Sequence, residues 1–101
     1  MNLRIQSVNF SADQKLENFI EQRLDKLNQF YDRIISGEVF LKVDNNNTRQ
    51  NKITEVKIHI PGQKFVVKKQ CKTFEEATQQ AAEALRRQLR KYKGKVRAMA
   101  S

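Results

Sequence analysis

The chain has 101 residues, enough for one small domain, and its 39% hydrophobic and 31% charged residues fit a soluble globular fold rather than a disordered or membrane-embedded one. A net charge of +9, from 20 Lys and Arg against 11 Asp and Glu, opposes compaction by self-repulsion and suggests a polyanionic partner, either nucleic acid or an anionic membrane surface. A single cysteine excludes an internal disulfide framework, no apolar run approaches the length of a membrane span, and the start Met1-Asn2-Leu3-Arg4-Ile5-Gln6 lacks the apolar stretch of a secretory signal, so the expected location is the cytosol.

Residues Leu3 to Val8 alternate loosely and predict a first strand. Ser11-Ala12-Asp13-Gln14 then places Gln three residues after Ser, a capping-box start with Ser11 as the cap. Leu16, Phe19, Ile20, Leu24, Leu27 and Phe30 or Tyr31 follow at helical spacing, which predicts a helix from Ala12 to Tyr31. Val39, Leu41 and Val43 alternate as a second strand, and the polar run from Asp44 to Asn51 reads as a loop. Val56, Ile58 and Ile60 form one face of a third strand. Pro61-Gly62 marks a turn into a fourth, with Phe65, Val66 and Val67, so these two strands make a hairpin. Thr73-Phe74-Glu75-Glu76 is a second capping box. Ala77, Ala81, Ala84, Leu85, Leu89 and Tyr92 predict a helix from Phe74 to Tyr92, stopped by Gly94.

The order β-α-β-β-β-α defines an α+β fold. A strand-helix-strand start favours parallel pairing of the first two strands through a right-handed crossover, and the later strands should pair antiparallel. Each helix has one apolar stripe to bury. The simplest arrangement is a four-stranded mixed sheet with two helices packed on one face. The other face would carry Lys42, Glu55, Lys57, His59, Lys64 and Lys68 and be largely solvated. There is no internal repeat. One domain is expected over residues 1–95, then a short, flexible basic tail at 96–101.

The charge is not evenly spread. Seven of the twelve residues from Arg86 to Arg97 are cations, namely Arg86, Arg87, Arg90, Lys91, Lys93, Lys95 and Arg97, and no acid follows Glu83. Bases near a helix C-terminus complement the macrodipole, but one or two suffice. At about 100° per residue, Leu85, Leu89 and Tyr92 mark the buried side, and Arg86, Arg87, Arg90 and Lys91 fall opposite. A solvated face usually mixes signs. This arc does not, and it reads as a polyanion site. On the first helix Lys15, Arg23, Lys26 and Arg33 fall on one flank of the apolar stripe, and Glu17, Glu21, Asp25 and Asp32 on the other. If the basic flank faces the second helix, both contribute to one cationic surface.

Such a surface binds phosphates through counterion release, with Arg adding bidentate contacts. Phe40 is the one ring expected on the open sheet face, too little for a base-stacking platform, so binding should read backbone shape more than base sequence. A membrane role fits less well, because the apolar side of the second helix is built largely from Ala. His59 and Cys71 stand far apart in the pattern, the first expected at the surface and the second half-buried, and they form neither a metal site nor a catalytic dyad. Phosphate-cradling glycine loops are missing. The expectation is a protein that is not an enzyme, with no cofactor and no small-molecule substrate.

The element order, the segment Glu21-Gln22-Arg23-Leu24-Asp25-Lys26-Leu27 and the ending Leu85-Arg86-Arg87-Gln88-Leu89-Arg90-Lys91-Tyr92-Lys93-Gly94-Lys95 resemble the ribosome hibernation-promoting factor and ribosome-associated inhibitor family over nearly the whole chain. That resemblance implies a ribosome-binding domain that docks on the small ribosomal subunit and its rRNA near the decoding centre. It would occlude the mRNA channel and the A and P tRNA sites, inhibiting translation and preserving idle ribosomes in stationary phase or stress. It also implies that Arg23 and Lys26 of the first helix, with Arg86, Arg87, Arg90, Lys91, Lys93 and Lys95 of the second, meet ribosomal RNA.

The stretch Thr73-Phe74-Glu75-Glu76-Ala77 departs from the Asp-containing, aromatic entry often seen before the family's last helix, a difference that touches capping. The stop at Ser101 and the short tail after Lys95 resemble the short hibernation-promoting form, which lacks the second, ribosome-dimerising domain and works with a separate small ribosome-pairing factor. Two other readings fit the residues. One is a general double-stranded RNA-binding module, since the final β-β-β-α resembles that class. The other is a protein-binding regulator whose basic helix meets an acidic protein.

Overall fold

The computed structural model describes residues 1–45 and 49–100, with side chains through Val96. The elements are β1 (Asn2–Ser7), α1 (Gln14–Phe30), β2 (Ser36–Val43), β3 (Lys52–Ile60), β4 (Gln63–Cys71) and α2 (Phe74–Ala100). The strands lie side by side in sequence order; β1 pairs parallel with β2, and β2–β3 and β3–β4 pair antiparallel. The expected mixed sheet is therefore present.

Register puts like residues together. Ile5, Val39, Val56 and Val67 form one continuous inward row across all four strands. Leu16, Ile20, Leu24 and Leu27 of α1 and Ala77, Ala81, Leu85 and Leu89 of α2 bury against that side, so both helices cover one face. The alanines of α2 let its backbone sit close to β3 and β4, and this is where the thin apolar stripe is used. Phe10, in the β1–α1 connection, stacks on Phe74 at the start of α2, with centroids 5.2 Å apart. Further along α2, Tyr92 meets Tyr31 and Phe65 edge-on, at 6.4 and 5.9 Å. These contacts fix α2 at its start and at Tyr92 against the rest of the fold.

Several boundaries differ from the sequence-based expectation. The cap of α1 is Asp13, not Ser11: its carboxylate accepts the Leu16 N–H at 2.8 Å, and the helix begins at Gln14. An acceptor three residues before Leu16 competes better than Ser11, which sits two residues too early. The cap of α2 is as expected, with the Thr73 hydroxyl accepting the Glu76 N–H at 3.1 Å. Gly94 does not end α2, which continues through the expected basic tail to Ala100. A glycine stop needs positive φ, and Gly62 is the one glycine with it, at +80°, in the turn after Pro61. Helix-forming neighbours then carry α2 through Gly94.

The Asp44–Asn51 loop is closed at its base, where the Asp44 N–H donates to the Asn51 carbonyl at 2.8 Å. Gln70 ties that base to β4, donating to the Gln50 carbonyl at 2.7 Å and to the Asp44 carboxylate at 3.2 Å. Residues 46–48 of that predicted loop lie outside the described residues.

The open sheet face is more interlocked than expected. Lys42, Lys64 and Lys68 are exposed, but Glu55, Lys57 and His59 are half-buried. Register alternates the signs, Arg4 beside Glu38 beside Lys57, and Glu55 beside Lys68. His59 Nε2 lies 3.4 Å from Glu38, and the Lys57 ammonium sits 5.2 Å from the centre of the Phe40 ring. Glu38 and Glu55 thus stand among the cations of this face.

Candidate nucleic-acid interface

The basic flank of α1 faces α2. Arg23, Lys26 and Leu27 form one wall of an open groove of about 230 Å³, and Gln79, Ala82, Glu83 and Arg86 form the other. Both walls follow helical spacing, three and four residues apart, which is why separate stretches of sequence produce one seam. Small Ala82 lets the walls approach.

Aromatic rings of α1 hold the seam's cations. The Arg23 guanidinium lies 4.9 Å from the centre of the Phe19 ring, one turn earlier on the same helix. Phe30 takes two cations from α2, the Arg86 guanidinium at 4.8 Å and the Lys93 ammonium at 5.4 Å. Next to this lies a second hollow, lined by Phe30, Tyr31, Arg33 and Lys93 among others. Thus Arg23, Lys26 and Arg86 come together, and Arg33 joins Lys93 beside them.

The remaining expected site residues are distributed differently. Arg87, Arg90, Lys91 and Lys95 are exposed on α2. Lys15 is not part of the seam; it lines a separate hollow with Asp13 and Glu75. Arg97 has its backbone within α2, and its side chain lies outside the described residues. Among the described residues no carboxylate forms an ion pair with these helix cations. The helix pair changes sign along its length: Glu75 and Glu76, in the first turn of α2, line a hollow that adjoins the groove and shares Glu83 with it.

Periodicity places Phe19, and Phe30 or Tyr31, in the apolar stripe and says nothing of cations. Phe19 is four residues before Arg23, a spacing that brings side chains together on a helix, so that pair was visible in the sequence. Nothing local links Phe30 to Arg86 or Lys93; only the packing of α1 on α2 does.

No group of His, Cys, Asp and Glu among the described residues could hold a metal ion, and no helix among them is long and apolar enough to cross a membrane. Cys71 is buried rather than half-buried. Burial first, and then the Glu76 carboxylate, hold its thiol above its ordinary pKa, with Lys69 opposing.

Fold and seam together define a class: a single-sheet α+β domain whose two helices share one face and present, along their junction, cations without ion-pair partners among the described residues. The chain belongs to the sigma 54 modulation protein / S30EA ribosomal protein family, whose model matches residues 3–97. It is a family of non-enzymatic proteins. The chain is 30% identical over 87 residues to a ribosome hibernation promotion factor of Deinococcus radiodurans, a match covering 84% of this chain and 45% of that protein. It therefore spans less than half the length of that curated relative. Two solved structures share the fold. The N-terminal domain of Protein Y from Thermus thermophilus superposes with a TM-score of 0.78 at 18% identity, over 91% of this chain and 99% of that one. A ribosomal subunit interface protein from Coxiella burnetii gives 0.82 at 17% identity, over 93% and 99%.

Proposed function

We propose that this protein is a cytoplasmic ribosome hibernation factor that binds the small ribosomal subunit through rRNA near the decoding centre. There it would occlude the mRNA channel and the A and P tRNA sites, inhibit translation and preserve idle ribosomes in stationary phase or stress. The observation that carries this reading is the facing of Arg23 and Lys26 with Arg86 across one groove, without ion-pair partners among the described residues. The family and the name of the Deinococcus relative support the ribosome as the polyanion.

The mechanism is electrostatic and steric. Phosphates take the place of mobile counterions along the seam and on the outer cations Arg87, Arg90 and Lys91. The bound domain then fills space that messenger and transfer RNA need. Using about five phosphates, it should lose roughly 10²–10³-fold in affinity between 50 and 200 mM salt. The sheet face, where Glu38 and Glu55 stand among the cations, contributes less.

The test is cosedimentation of the protein with purified small subunits on a sucrose gradient. Reversing Arg86, Arg87, Arg90 and Lys91 to Glu should abolish it, and unchanged binding would overturn the reading. A free RNA duplex that displaces the protein from ribosomes would instead support a general double-stranded RNA binder. Binding to an acidic protein, with no RNA affinity at low salt, would support a protein-binding regulator.

A further inference from the structure

We infer that Phe30 is a positioning residue of the seam: its ring holds Arg86 and Lys93 in place on α1, so that an RNA phosphate backbone meets two cations already set. This rests on the RNA-binding reading above and names a residue within that same site.

Three observations carry it. Arg86 and Lys93 are seven residues apart on α2, about 10 Å along the axis, yet both reach one ring on the other helix, at 4.8 and 5.4 Å from its centre. Those distances fall within the roughly 6 Å over which the negative face of an aromatic ring attracts a cation. Two like charges converging on one point repel, so the ring face offsets a cost that an aliphatic side chain would leave standing. Second, Phe30 joins two cation groups. Arg86 lines the groove with Arg23 and Lys26, while Phe30 itself lines the hollow that holds Arg33 and Lys93. Third, Phe30 is only partly buried and packs at the margin of the core, so its face stays available to the cations.

Long cationic side chains lose rotamer freedom when a complex forms. Where a ring has already ordered two of them, that loss precedes binding. Phe30→Leu keeps apolar bulk and removes the ring face. It should weaken binding to purified small subunits by about tenfold while leaving the slope of log affinity against log salt unchanged, because no cation is lost. Phe30→Tyr should bind like the unaltered protein. Removing a charge instead, by Arg86→Ala, should lower the slope by about one.

In the free protein the side-chain protons of Arg86 and Lys93 should show ring-current shifts by NMR. Those shifts should persist in Phe30→Tyr and vanish in Phe30→Leu. Their absence from the unaltered protein overturns the inference however the variants fold. Binding by Phe30→Leu within about twofold of the unaltered protein overturns it too, as does equal weakening by the two substitutions, which would mark a packing effect. No small-subunit binding by the unaltered protein overturns the functional reading, and this inference with it.

Discussion

Thr54 of β3 and Thr78 of α2 meet inside the helix–sheet interface, with hydroxyl oxygens 3.5 Å apart and no exposed surface on either residue. Thr54 stands in an inward row otherwise made of Val56, Ile58 and Ile60, and on α2 Thr78 sits beside Ala77. One polar pair thus marks where α2 rests on β3. Thr54→Val or Thr78→Val alone leaves a buried hydroxyl with one partner fewer and should cost about 1 kcal/mol. The double variant should lose less than the sum. Urea unfolding across the four-protein cycle checks this, and strict additivity would mean that the hydroxyls are independent.

Capping separates two candidates that lie two residues apart. Asp13→Ala should destabilise the protein by about 1 kcal/mol, whereas Ser11→Ala should change stability by no more than a few tenths. The same unfolding assay ranks them, and the opposite ranking would return the cap to Ser11.

Gly94 and Gly62 should respond with opposite signs to the same substitution. A Cβ at Gly94 meets nothing within 4 Å, and its φ is not positive, so Gly94→Ala should raise helix content and stabilise by up to about 1 kcal/mol. At Gly62, φ is +80°, and Gly62→Ala should destabilise by about 1 kcal/mol. Circular dichroism during thermal melting reads both. A loss on Gly94→Ala would contradict a helix continuous through that residue.

Lys15 and Arg23 test the seam as a place rather than as a total of charge. Each substitution to Ala removes one cation from α1, but only Arg23 lines the groove with Arg86. Arg23→Ala should lower the salt slope of small-subunit binding by about one, and Lys15→Ala should leave it unchanged. Equal effects would point to net charge alone.

The Cys71 thiol has a pKa raised in the folded state, chiefly by burial. Above the ordinary value of 9.0 the unfolded chain releases that proton while the folded chain still holds it. The unfolded state then binds fewer protons, so stability falls as pH rises through this range. Cys71→Ala should reduce that fall. Urea midpoints of both proteins from about pH 8 to about pH 10.5 provide the comparison, and parallel curves would exclude a part for the thiol.

The element order, the single covered face and the Thr73 cap were legible because each follows from local periodicity or a short polar signal. The two missed boundaries come from competition between nearby signals. Asp13 took the role assigned to Ser11, and Gly94 had a glycine's freedom without the positive φ that would have ended α2. The cations themselves were legible as well, since their position around each helix follows from spacing. Their grouping was not: Lys15 shares a flank with Arg23 on the wheel but sits a helix length away from the basic end of α2. The role of Phe30 depends on how two helices cross, which periodicity within either one does not encode. Likewise the open sheet face looked solvated strand by strand, and its Arg4–Glu38–Lys57 alternation exists only once register is set.

On α1, Glu17, Glu21 and Asp25 lie away from the flank that carries Arg23 and Lys26, and this sorting has a kinetic consequence. A body with its positive charge on one side and negative charge on another is turned by an external field before it touches anything. Approaching a polyanion, the domain should arrive with its seam leading, so fewer encounters are spent in unproductive orientations. Association rate, and not only strength of hold, should therefore fall steeply as salt shortens the reach of that torque.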